Sequence, residues 1–162
     1  MEIERKFLIN GMPDLSGIKP ISYERYYIKK DGETVERIQK KGDSYEYETK
    51  RTISHLEHKK EKRRITQKEF AELKRGKEDE GIIRDGYLLS SNPDVSIKIY
   101  HGKFDGLARV EIEFSSKEEA EKYVPENWIG AEITTSPLGT DARLLHLSRE
   151  EFLSLLKRTQ IG

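Results

Sequence analysis

Along most of this chain apolar and polar residues alternate with a period of two, the spacing of a half-buried strand whose successive side chains point to opposite faces. The alternation predicts eight strands, over Glu2–Ile9, Ser22–Lys30, Thr34–Lys40, Asp43–Arg51, Glu57–Ile65, Gly81–Leu89, Asp94–Gly102 and Leu107–Phe114. Asp31-Gly32 and Lys41-Gly42-Asp43 are turn signals between consecutive strands, so the pattern reads as hairpins. Strands of this number joined mostly by short turns suit an antiparallel sheet that closes on itself.

Three stretches shift to helical spacing. Each opens with a hydroxyl residue followed three positions on by glutamate, the reciprocal capping pattern: Thr66 and Glu69, Ser116 and Glu119, Ser148 and Glu151. After the last, Phe152, Leu155 and Leu156 form an apolar stripe. The expected fold is α+β, an eight-stranded antiparallel closed β-barrel forming a tunnel, with helices packed on the outside. No linker or repeat divides the chain, so residues 1–162 read as one domain.

Alternation also assigns faces. Ile3 and Phe7 oppose Glu2, Glu4 and Lys6; Val95, Ile97 and Ile99 oppose Ser96, Lys98 and Tyr100; Val110, Ile112 and Phe114 oppose Arg109, Glu111 and Glu113. On an open one-sided sheet the charged face would meet solvent and carry little meaning. In a closed barrel with its apolar face under helices, the same residues line a hydrated tunnel. The lining would hold Glu2, Glu4, Glu46, Glu48, Glu111 and Glu113 against Lys6, Arg37, Lys50, Arg84, Lys98 and Arg109. Crowded carboxylates repel unless a cation lies among them, and hard oxygen donors suit magnesium or manganese. Bases grouped beside such an ion suit a polyanion, above all a phosphate chain.

Composition narrows this without deciding it. Thirty lysines and arginines balance thirty aspartates and glutamates, so net charge points neither to duplex nucleic acid nor to an anionic membrane. At 37% charged the chain is polar for a folded domain, yet eight tyrosines, five phenylalanines and regular alternation argue against disorder. The absence of cysteine excludes disulfides and thiolate metal sites. No apolar run approaches the ~18 residues of a membrane span and the N-terminus begins with charge, so a cytoplasmic location is expected. The histidines show no ligand spacing; His58 and His101 are candidates for the tunnel mouth.

The start "EIERKF" resembles the ExExK signature of the CYTH superfamily, the triphosphate tunnel metalloenzymes. "TVERIQKKG", "YETK", "GIIRDGY", "RVEIEF" and "ENWIGAEIT" are similar, in order along nearly the whole chain, to that family's RxR strand, lysine-ended strand, basic-then-tyrosine strand, ExE strand and tryptophan-glycine-glutamate turn. The resemblance implies an eight-stranded tunnel that binds triphosphate-containing small molecules with Mg2+ or Mn2+. It implies Glu2, Glu4, Glu111 and Glu113 as metal ligands, and Lys6, Arg37, Lys50 and Arg84 as phosphate contacts joined by Arg109 on the same lining. Glu4, Lys6 and Glu113 stand closest to the implied chemistry. The activity expected is a divalent-metal-dependent triphosphate hydrolase acting on inorganic triphosphate or an organic triphosphate. The alternatives are a triphosphate- or nucleotide-binding module, with a triphosphorylated RNA end among its ligands, and a class IV-type adenylate cyclase. Either a monomer or a homodimer is compatible.

Departures from that pattern are spread along the chain. Gln39 takes the second RxR position, Gly86 replaces an arginine, Lys98 falls where an aspartate is usual, and "SPLGTDAR" replaces a lysine-containing segment. Where the family carries carboxylates on its middle strand, "HKKEKRR" offers Lys60 and Lys62. One register turns Lys60 and Lys62 inward, where with Lys98 they would contact phosphate in place of a second cation; the other turns Glu57, Lys59, Glu61 and Arg63 inward.

Overall fold

The computed structural model describes residues 1–161. Nine strands form one sheet: β1 (Glu2–Ile9), β2 (Ile21–Asp31), β3 (Thr34–Lys41), β4 (Ser44–Thr52), β5 (Glu57–Arg64), β6 (Ile82–Ser90), β7 (Asp94–His101), β8 (Ala108–Phe114) and β9 (Ile129–Glu132). The order β5-β4-β3-β2-β6-β7-β8-β1 returns to β5 through Glu2↔His58 and Ile3↔Glu57, which closes an antiparallel ring. The closure is thin. Only the start of β1 reaches β5, and Glu4 N–H adds one further bond to the Leu56 carbonyl at 3.0 Å.

The rest of that edge of β1 is taken by β9, through Phe7↔Glu132 and Ile9↔Ile129. The family resemblance of "ENWIGAEIT" implies a turn here, and the alternation assigns no strand. The stretch pairs as a strand because Gly130 lets two backbones approach closely: a Cβ there would lie 3.3 Å from the Leu8 carbonyl.

Among the described residues four α-helices accompany the sheet: α1 (Gln67–Lys74) between β5 and β6, α2 (Lys117–Lys122) between β8 and β9, and α3 (Asp141–Leu144) and α4 (Arg149–Ile161) after β9. Thr66 and Ser148 make both bonds of the capping box with Glu69 and Glu151. Ser116 caps Glu119 N–H, while Glu119 reaches back to Ser115 N–H instead. Among the described residues no helix is long and apolar enough to cross a membrane.

The apolar faces of the strands pack in three clusters. Phe70 of α1 meets Tyr26, Ile38 and Ile65 outside β2 and β3. Ala120 of α2 joins Phe7, Val95, Ile97, Val110, Ile112 and Phe114 outside β1, β7 and β8. The third cluster differs, because four of its members continue the inward series of their strands: Leu8, Ile82, Tyr100 and Leu107. Leu138, Leu144, Phe152 and Leu156 cover them. The segment from Pro137 through α4 therefore stoppers one end of the ring along the β6-β7-β8-β1 half, while α1 and α2 pack on its outside.

Candidate functional site: a charged tunnel

Inside the ring lies a cavity of about 700 Å3. Every site residue expected from the sequence lines it: Glu2, Glu4, Lys6, Arg37, Lys50, Lys60, Lys62, Arg84, Lys98, Arg109, Glu111 and Glu113. The register of β5 is resolved by its pairing with β4, which sets Lys60 opposite Lys50 and Lys62 opposite Glu48 and turns both lysines inward. Lys59 and Glu61 pair with each other on the outer face, and Arg63 stacks on the Tyr47 ring. His58 lines the cavity; His101 does not, since it falls on the outward parity of β7 and contacts Asp85 at 2.9 Å.

Two arcs of alternating charge run round the wall. The first links Lys6 to Glu4 (3.3 Å), Glu4 to Lys50 (3.1 Å), Lys50 to Glu2 (3.8 Å), Glu2 to Lys60 (2.8 Å) and Lys60 to Glu48 (3.8 Å), ending at the buried Arg37–Glu48 pair (2.8 Å). It bridges the thin seam between β1 and β5 and gives the sign of β5 a physical reason: its lysine binds the carboxylate of β1. Burial opposes ionisation of Glu4, but Lys6 and Lys50 hold its pKa well below the usual carboxylate range. Burial likewise works against Glu48, which Arg37 and Arg25 bring down to about 2. Lys6 is pushed down to about 8 by burial, and donates to the Gly139 carbonyl at 2.8 Å. His58 is pushed down to about 4 by burial and by Lys50.

The second arc centres on Asp141 at the start of α3. Arg25 Nη1 donates to it at 2.7 Å, Tyr100 Oη at 2.7 Å, and Arg109 Nη1 approaches it at 3.0 Å. Arg84 lies 3.7 Å from the same carboxylate and 3.0 Å from Glu111, which also receives Arg109 Nε and Nη2. The guanidiniums hold Asp141 and Glu111 ionised against burial. Arg25 is held from its other side by Gln39 Oε1, at 2.9 and 2.6 Å, so the residue that replaces an RxR arginine is the partner of a different arginine. Periodicity alone marked neither Arg25 nor Asp141; the only hint was the inward parity of Arg25 opposite Gln39.

A few groups stand outside both arcs. Arg84 Nε is buried with no hydrogen-bond partner. Lys98 reaches over the Tyr23 ring at 4.7 Å, in the space left by Gly86, where a Cβ would lie 3.1 Å from its ammonium. Glu113 lies opposite Glu4 on β1 and Asp94 on β7, and burial together with Glu2 and Glu4 raises its pKa. Among the described residues no three such groups are gathered into a preformed metal centre. The oxygen donors of Glu2, Glu4 and Glu113 nevertheless suit a hard divalent cation, since like charges face one another. Among the described residues Glu113 has no cationic partner within ion-pair distance, and Glu2 and Glu4 are ion-paired with the ammonium groups of Lys6, Lys50 and Lys60 and with no guanidinium. Glu111 differs, being already neutralised by two guanidiniums.

The antiparallel ring lined by both signs of charge is a tunnel, and this fold matches solved structures. No family model matches the chain. It is 26% identical over 136 residues to an inorganic triphosphatase of Nitrosomonas europaea, covering 82% of this chain and 89% of that protein. A crystal structure of an inorganic triphosphatase superposes with a TM-score of 0.68 at 24% identity, over 91% of this chain and 97% of that one. A Hippeastrum adenylyl cyclase candidate with a dominant triphosphatase activity superposes at 0.52 and 14% identity, over 75% and 83% of the two chains.

Proposed function

We propose that the chain is a divalent-metal-dependent triphosphate hydrolase whose substrate is inorganic triphosphate. The observation that carries this reading is the pairing of opposite deficits on one cavity: Glu113 among carboxylates, and Lys98 and the orphaned Arg84 Nε among cations. A metal–triphosphate complex supplies what each lacks, a cation to the first and phosphate oxygens to the second. The named relative is an inorganic triphosphatase, which supports the same substrate.

In this reading Glu2, Glu4 and Glu113 hold magnesium or manganese, which when bound offsets phosphate charge. Lys6, Lys50, Lys60, Lys62, Lys98, Arg37 and Arg84 hold the chain of phosphates, with Arg109 fixing Glu111 behind them. Water attacks the terminal phosphorus, its proton passing to a carboxylate oxygen of Glu113, and orthophosphate and diphosphate leave; Lys6 steadies the leaving diphosphate. The test is phosphate release from triphosphate, ATP, GTP and thiamine triphosphate with and without magnesium or manganese. Release confined to the metal-containing samples and fastest with inorganic triphosphate is expected; cyclic AMP from ATP would indicate a cyclase. The pairing of Lys50 and Lys60 with Glu2 and Glu4 favours one second reading, a module that binds triphosphate without turnover. Tight binding with no product at full metal loading would select it.

A further inference from the structure

The stoppered end of the tunnel is faced with an anion that belongs to the protein. Asp141 is buried, yet it lines the cavity at the boundary between charged wall and apolar stopper. Its two oxygens are held by Arg25, Arg109 and Tyr100 at 2.7–3.0 Å, with Arg84 at 3.7 Å. Three guanidiniums and a phenol directed at one oxyanion are the recognition set of a phosphate group. The carboxylate occupies that set from within the chain.

We infer that Asp141 is a specificity-determining residue, a carboxylate standing where the next phosphate of a longer polyphosphate would bind, so that the tunnel accepts short linear chains and rejects extended ones. The inference rests on the reading of the tunnel as a polyphosphate site. Its physical basis is occupancy and sign: apart from Arg84 Nε, the guanidiniums that face this end are engaged by Asp141, Glu111 and Gln39, and a further phosphate arriving there meets a fixed negative charge. The apolar side chains of Leu8, Ile82 and Leu138, in the cluster that covers this end, give a displaced phosphate no polar place to go.

Titration calorimetry of inorganic triphosphate and tetraphosphate with the full chain tests this, in wild type, Asp141→Asn and Asp141→Ala. Wild type is expected to prefer triphosphate by about tenfold or more, the scale of a lost charged hydrogen bond, and both variants to reduce that preference to near unity by gaining tetraphosphate affinity. Thermal unfolding in inorganic phosphate supplies a readout independent of chain length. Phosphate should raise the midpoint of Asp141→Ala more than that of wild type, because the vacated position admits an oxyanion. An unchanged triphosphate-to-tetraphosphate ratio in folded variants overturns the inference. So does a variant that fails to fold in buffer and is not recovered by inorganic phosphate, which would assign Asp141 a purely structural place. If wild type binds neither chain, the polyphosphate reading itself falls and the length limit with it.

Discussion

At the scale of single residues the wall of the tunnel is built from ion pairs too buried to be treated as surface decoration. Arg37 and Glu48 are 5% and 1% exposed, and Glu48 is the carboxylate that pairs with the buried Arg37 guanidinium. Breaking such a pair from one side costs about 3–5 kcal/mol, whereas replacing both partners by apolar residues of similar volume is often close to neutral. Glu48→Ala is therefore expected to lower stability by that amount in urea titration, and Arg37→Met combined with Glu48→Leu to recover most of it. A double change as costly as the sum of Glu48→Leu and Arg37→Met measured singly would show that the pair is not coupled. The inward parity of these residues was legible from the sequence, because "TVERIQ" and "YEYETK" each alternate and turn signals flank the strands. The contact of Arg25 with Asp141 was not, since 116 positions separate them and no local period links a strand to a four-residue helix beyond the ring.

At the scale of elements the strands were readable because each one faces two different environments, whereas the segment that stoppers the ring has no period of its own. Its placement depends on close backbone approach. A Cβ on Gly139 would lie 2.1 Å from the Ile133 carbonyl, so even alanine must push the 3-10 turn Pro137–Gly139 away from β9. That turn accepts the Lys6 ammonium on the Gly139 carbonyl and leads directly into Asp141. Gly139→Ala is expected to cost about 1–3 kcal/mol, the usual range for overpacking, and to weaken triphosphate binding in the same preparation. Stability lost with binding intact would mean that the turn is structural only. The strand β9 escaped the pattern for a related reason: four residues with a glycine among them give too short an alternation to be distinguished from a turn.

At the scale of the whole molecule, the ring is closed by electrostatics as much as by strand pairing. Only Glu2 and Ile3 pair with β5, while Lys50 and Lys60 reach Glu4 and Glu2 across the same seam. Glu4, Glu48, Glu111 and Asp141 all have pKa values lowered in the folded protein, so the folded state binds fewer protons than the unfolded chain as acid is added. Their stabilisation is complete above the unfolded carboxylate range and is lost as pH falls; for Glu48 the window runs from 4.5 down to about 2. Urea midpoints measured from pH 7 to pH 3 should begin to fall below about pH 6.5, where the unfolded chain protonates His58 and the folded protein does not, and fall steeply below about pH 5 as the carboxylates join; a flat profile would mean that these groups contribute nothing net. The charges that the arcs leave unpaired, on Glu113, Lys98 and Arg84 Nε, are the ones that the proposed polyphosphate with its cation would take up.

The most direct measurement is orthophosphate release from inorganic triphosphate by the wild-type chain and by Glu4→Gln, each with magnesium, with manganese and with chelator. Release by wild type is expected to require the divalent cation, and Glu4→Gln to lose at least about a hundredfold with the fold retained. Metal-independent release, or release undiminished by Glu4→Gln, would contradict the proposed function.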